Sequence, residues 1–148
     1  MNTISTRPAF ALVVALFFGI SSTFAAEPFT IIQLCDTQLG MGGYDHDMDT
    51  FNLAVKQINA LEPDLVVICG DLVNTNDDKS FKDFKEINAK FTVPCYLASG
   101  NHDVGNDPTT ESLERYRSII GKDYYNVDHK GYSFVVVNTQ LWKKDIGE

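Results

Sequence analysis

Three short stretches of this sequence place metal-ligand and acid–base residue types directly after apolar runs. They are Cys35-Asp36-Thr37-Gln38, Gly70-Asp71-Leu72-Val73-Asn74 and Gly100-Asn101-His102-Asp103. Two carboxylates alone could repel, raise one pKa and work as an acid–base pair. Asn101 points elsewhere, because an amide has no useful proton to exchange but offers a neutral carbonyl oxygen. Oxygen donors with an imidazole suit Mn, Fe, Zn or Mg. Two such cations sharing a carboxylate can clamp a phosphoryl group during in-line attack.

For these residues to meet, the chain between them must return each time to the same edge. Residues 29–35, 65–69 and 93–98 are short apolar runs of strand character, the second continuous enough to be buried on both faces. Between them, residues 49–61 repeat apolar side chains at spacings of three and four, with Asp47 or Asp49 near the N-cap. Residues 80–90 do the same with Phe81, Phe84 and Ile87, and Ser80 is the expected cap. A further helix opens at Pro108-Thr109-Thr110 and closes at Gly121, and residues 124–128 and 132–138 read as a hairpin. Alternating strands and helices predict an α/β fold with a parallel sheet. In such a sheet the C-terminal strand ends share one edge, outside which ligands bind. Asp71, on the middle strand if sheet order follows chain order, is the natural bridging carboxylate.

The three motifs, in this order and spacing, resemble those of the calcineurin-like metallophosphoesterases, and the resemblance spans residues 29–142. Gly-Asn-His-Asp is its most specific part. The resemblance implies a two-sheet sandwich flanked by helices and a pair of divalent ions, Mn, Fe or Zn. It implies that Asp36 and Gln38 bind the first metal, Asp71 bridges both, and Asn101 binds the second. His102 would hydrogen-bond the phosphate and protonate the leaving oxygen, Asp103 would orient its ring, and Asn74 would support the site from behind. The implied reaction is phosphoester hydrolysis by a metal-activated hydroxide, on a small molecule or a phosphoprotein. Gln38 stands where the family usually has histidine. Together with Asn138-Thr139-Gln140-Leu141-Trp142 it resembles an animal branch of that family. The family completes its centre with later histidines, including Gly-His-x-His, which these residues do not supply. The expectation is therefore the N-terminal part of such a domain over residues 29–148, incomplete at the C-terminus. Its alternative is a metal- or phosphoryl-binding remnant without catalysis.

Bulk properties narrow the partners. The 148 residues suit one domain, and a net charge of −8 argues against nucleic-acid or anionic-membrane binding. The first 25 residues read as a secretory signal: Arg7, an uncharged apolar run over 9–20, then Thr23-Phe24-Ala25 as a cleavage site. The mature protein is then periplasmic or secreted, meeting a membrane only through that signal. Cys35, Cys69 and Cys95 lie in apolar runs and read as buried small hydrophobes, although export would permit one pair to form a disulfide. A mononuclear zinc site using Cys69 or Cys95 with His102 lacks any cysteine-knuckle spacing. His46 and His129 read as solvated.

Overall fold

The computed structural model describes residues 27–143; the expected signal segment lies outside them. Three strands, β1 (Ile31–Cys35), β2 (Leu65–Cys69) and β3 (Cys95–Ala98), form a parallel sheet in the order β1-β2-β3, with Ile31 opposite Leu65 and Val66 opposite Cys95. Helix α1 (Tyr44–Leu61) connects the first pair and α2 (Asp78–Asn88) the second. A single turn, α3 (Asn101–Val104), follows β3, then α4 (Thr110–Ile119), and β4 (Tyr125–His129) with β5 (Tyr132–Val136) form an antiparallel hairpin. A 3-10 turn spans Thr139–Lys143. The parallel α/β sheet with Asp71 just past its central strand matches the expectation.

Helix boundaries depart from the sequence reading for identifiable reasons. Helix α1 begins at Tyr44, not 49: its N-cap is Gly43, which has no side chain to announce it, and Asp45 and Asp47 sit in the first turn. Helix α2 is capped by Asp77, whose carboxylate accepts the Ser80 N–H at 2.7 Å; Ser80 is thus the capped residue and not the cap. Thr109 and Ser112 form a reciprocal capping box at α4.

Nearly all the core lies on one side of the sheet. Phe51, Val55 and Ile58 of α1 and Phe81, Phe84 and Ile87 of α2 pack on Val66 and Ile68, with Phe51 stacked on Phe84 at 5.5 Å. Tyr116 of α4 is fully buried edge-on to Phe81. The other sheet face is only partly covered, by the hairpin, across an apolar cleft of about 250 Å³ lined by Val67, Cys69, Tyr96, Ala98, Val127 and Phe134. This corrects the cysteine expectation: Cys35 is exposed, Cys69 and Cys95 are half-buried, and all three are free thiols. Cys35 and Cys69 stand opposite each other on that open face. His129 is likewise less solvated than expected, its ring lying 5.2 Å from that of Phe29.

An ion pair between exposed Arg117 and buried Asp123 ties the end of α4 to the segment after the hairpin. Asp123, only 1% exposed, accepts hydrogen bonds from Arg117 Nε (2.7 Å) and Nη2 (3.1 Å) and from Asn138 Nδ2 (3.0 Å). Burial pushes its carboxyl upward, but the Arg117 guanidinium and the Asn138 amide outweigh that and hold it below the ordinary value. A depressed native pKa stabilises the fold above the unfolded value, near 4, and that contribution fades as pH falls through the native pKa. Thermal unfolding from pH 7 to 3 should therefore show wild-type stability dropping below about pH 4. Asp123→Asn should start from a lower Tm and lack that part of the drop; identical pH curves would show that the pair contributes nothing.

Candidate functional site

Beyond the tips of β1 and β2 the two chains part and then rejoin. They pair up to Cys35 and Cys69, and again at an isolated parallel bridge between Leu39 and Val73. The intervening residues, 36–38 and 70–72, bulge out of the ladder. Their backbones are unusual: Asp36 (φ 50°), Gln38 (φ 34°) and Asp71 (φ 38°) are all left-handed, as is Gly70 (φ 76°). Non-glycine residues adopt this conformation at a cost that surrounding contacts must offset, and such residues concentrate at functional sites. The contacts are present: Gln38 N–H donates to Asp71 O at 2.8 Å, Leu39 N–H to Leu72 O at 3.3 Å, and Thr37 Oγ1 to Leu72 O at 3.1 Å.

The third loop joins through Asp71. Its Oδ1 accepts the His102 N–H at 2.9 Å, so one carboxylate oxygen is oriented by the chain leaving β3. Gly100 makes this approach possible. Its backbone is extended (φ −109°, ψ −174°), a conformation open to any residue, so glycine is needed here for space and not for a tight turn. A Cβ on Gly100 would overlap Asp71 N and Oδ1. A Cβ on Gly70 would lie 3.5 Å from Asp36 Oδ1 and 4.0 Å from Gly100 Cα, which puts the Asp36 carboxylate beside the same junction. Asn101, half-buried, opens α3 one residue before the His102 amide that Asp71 holds.

His102 is held by the second loop. Its Nδ1 lies 2.7 Å from Asn74 O. A carbonyl oxygen can only accept, so Nδ1 carries the proton and Nε2 is the ring's free acid–base position. Asn74 also accepts the Gln38 Nε2 amide on its side-chain oxygen at 3.4 Å, linking first and third loops. The ring-orienting contact that the resemblance implies for Asp103 therefore belongs to Asn74. Asp103 instead turns beneath the loops, 2% exposed, and accepts from the main-chain amides of Gly100, Leu72 and Val73. Burial pushes its carboxyl up to about 6 against the downward pull of those amides.

A further residue escaped sequence reading. Asp47 Oδ2 accepts the N–H groups of Gly40 (3.0 Å) and Gly42 (2.9 Å), folding the glycine-rich loop onto the start of α1 next to Gln38. An aspartate in a first helical turn reads as a dipole or cap residue, and only its five- and seven-residue backward reach reveals the second use.

Among the described residues, no group of three or more His, Cys, Asp or Glu side chains is gathered as for a metal ion. The constellation offers two carboxylates and two amides, with the imidazole tied to Asn74. Such an oxygen donor set fits a hard divalent cation.

Comparison with known proteins bears on the family and the fold. A family model described as calcineurin-like phosphoesterase matches residues 29–147. The serine/threonine-protein phosphatase CPPED1 of Danio rerio is 33% identical over 137 residues, covering 78% of this chain and 44% of the relative. Its Homo sapiens counterpart is 31% identical over 138 residues, with the same coverage. The chain thus spans under half the length of these curated relatives. Among solved structures, the yellow lupin purple acid phosphatase PPD1 superposes with a TM-score of 0.57 at 17% identity, over 79% of this chain and 25% of that one. The α/β architecture expected from the sequence is shared with that fold. On the family match, which covers most of its length, the chain belongs to the calcineurin-like phosphoesterases.

Proposed function

We propose that this chain carries the first ligand set of a divalent-metal phosphoester hydrolase. One observation carries the reading: Asp71 sits at the junction of all three motif loops, its backbone oxygen holding Gln38 and its carboxylate holding the His102 amide. Asp36, Gln38, Asp71 and Asn101 would supply oxygen donors, with Asp71 shared between two cations. When bound, the cations would polarise the phosphoryl group and lower the pKa of the attacking water. The remaining donors come, in this reading, from the part of the relatives' length that this chain does not span.

The chain's own chemistry centres on His102. Asn74 O fixes its Nδ1 proton, leaving Nε2 to carry the proton that the departing oxygen needs. Asn74 keeps the Gln38 amide turned so that its nitrogen faces Asn74 Oδ1, which leaves the Gln38 oxygen as the available donor. The names of the relatives favour a phosphoserine or phosphothreonine ester, with small phosphoesters as the other class. Export to the periplasm or beyond rests on the N-terminal segment alone; no helix of the described residues is long and apolar enough to cross a membrane. A binding role without turnover is the second reading, favoured by the lack of a three-residue His, Cys, Asp or Glu cluster among the described residues.

Hydrolysis of p-nitrophenyl phosphate by the full-length protein should require added Mn²⁺ and stop with EDTA. His102→Ala should lower kcat about a hundredfold while leaving Mn²⁺ affinity unchanged. Metal-independent turnover, or full activity in the variant, would sink the assignment; Mn²⁺ binding without turnover in the wild type would establish the second reading. Gly100→Ala should weaken Mn²⁺ binding at least tenfold by pushing Asp71 away, an effect readable by calorimetry.

A further inference from the structure

We infer that Asp103 is a positioning residue for the metal-bearing loops, acting through three backbone amides and not through the ring of His102. The part of this that concerns metal rests on the function proposed above. Asp103 Oδ1 accepts Leu72 N–H at 2.9 Å and Val73 N–H at 3.2 Å, and its Oδ2 accepts Gly100 N–H at 2.7 Å and Leu72 N–H at 3.1 Å. Leu72 and Val73 directly follow Asp71, and Gly100 directly precedes Asn101. One side chain therefore fixes the separation between the residues next to two proposed ligands.

The arrangement is reciprocal. The second loop gives its amides to the carboxylate of the third, while the third gives the His102 amide to the carboxylate of the second, at 2.9 Å. Each acid thereby satisfies N–H groups that the opposite loop has lost from regular pairing. A buried N–H left without an acceptor costs the full desolvation of that group, which makes the clamp hard to open on one side only.

The chemistry selects aspartate. An ionised carboxylate is the one short side chain that accepts on both oxygens and donates nothing. Asparagine has the same shape but would turn an N–H₂ toward amide N–H groups. Glutamate would add a methylene to a slot already 2% exposed. A purely structural role for Asp103 would cost stability alone. A positioning role also moves metal affinity and the local environment of Asp71 in protein that remains folded.

Mn²⁺ titration by calorimetry and amide NMR of the full chain separate these cases. Asp103→Asn, folded by near-ultraviolet dichroism, should bind Mn²⁺ at least tenfold more weakly, whereas His102→Ala keeps wild-type affinity. In the metal-free protein, Asp103→Asn should also displace the His102 amide resonance, which reports the bond to Asp71. Unchanged affinity, or an unmoved His102 amide, overturns the inference. If the wild type binds no Mn²⁺, the proposed function fails, and the His102 amide shift still decides the clamp. If Asp103→Asn does not fold, scalar couplings across hydrogen bonds from the Gly100, Leu72 and Val73 nitrogens to Asp103 Cγ decide it in the wild type, and their absence overturns the inference.

Discussion

Backbone that leaves a sheet must find new partners for its amides, and this constraint governs everything at the strand tips. Residues 70–72 step out of the parallel ladder and rejoin it at Val73, so the amides of Leu72 and Val73 face inward with no neighbouring strand to receive them. In water they would be solvated; here they are buried, and a missing acceptor would be expensive. The Asp103 carboxylate fills that need. The bulge it supports includes Asp71, whose left-handed backbone is matched by those of Asp36 and Gln38 across the ladder. The strain in those backbones and the carboxylate beneath them are two aspects of one local structure.

Charge makes the arrangement chemically consistent. Burial, with a smaller push from the nearby Asp71 carboxylate, raises the Asp103 carboxyl to about 6. The main-chain amides of Gly100, Leu72 and Val73 oppose both effects. Asp71 is half-buried and Asp36 exposed, whereas Asp103 is 2% exposed. The inner acid accepts three main-chain amides, Asp71 accepts one, and Asp36 is exposed. The same residue type thus serves two purposes separated by depth.

Much of this was legible in the sequence, and what was not has physical causes. The strands, the parallel order and the convergence of three loops followed from apolar periodicity and from contiguous motif letters such as Gly-Asn-His-Asp. The role of Asp103 was not legible, because its partners are main-chain amides, two of them 30 and 31 positions upstream, and any residue type supplies those. The Asn74 carbonyl that orients His102 was hidden for the same reason. The short helix α3 has four residues, too few for a period to show. The start of α1 was missed because a glycine cap leaves no side-chain signature. Cysteine burial was misread because it depends on what covers the second face of the sheet, a property of layers and not of local sequence.

That asymmetry between faces bears on how the site is held. The helix-side core, centred on Phe51, Phe81, Phe84 and Tyr116, is closely packed and includes Leu72, Val73 and Val104, the apolar residues of the motif loops themselves. The loops are therefore anchored from the helix side. Cys35, Val67 and Cys69 look toward the open face, and no hydrogen bond that positions Asp71, His102 or Asp103 passes through them. The geometry of the three motif loops thus follows from the helix-packed half of the fold and not from cover on the opposite face.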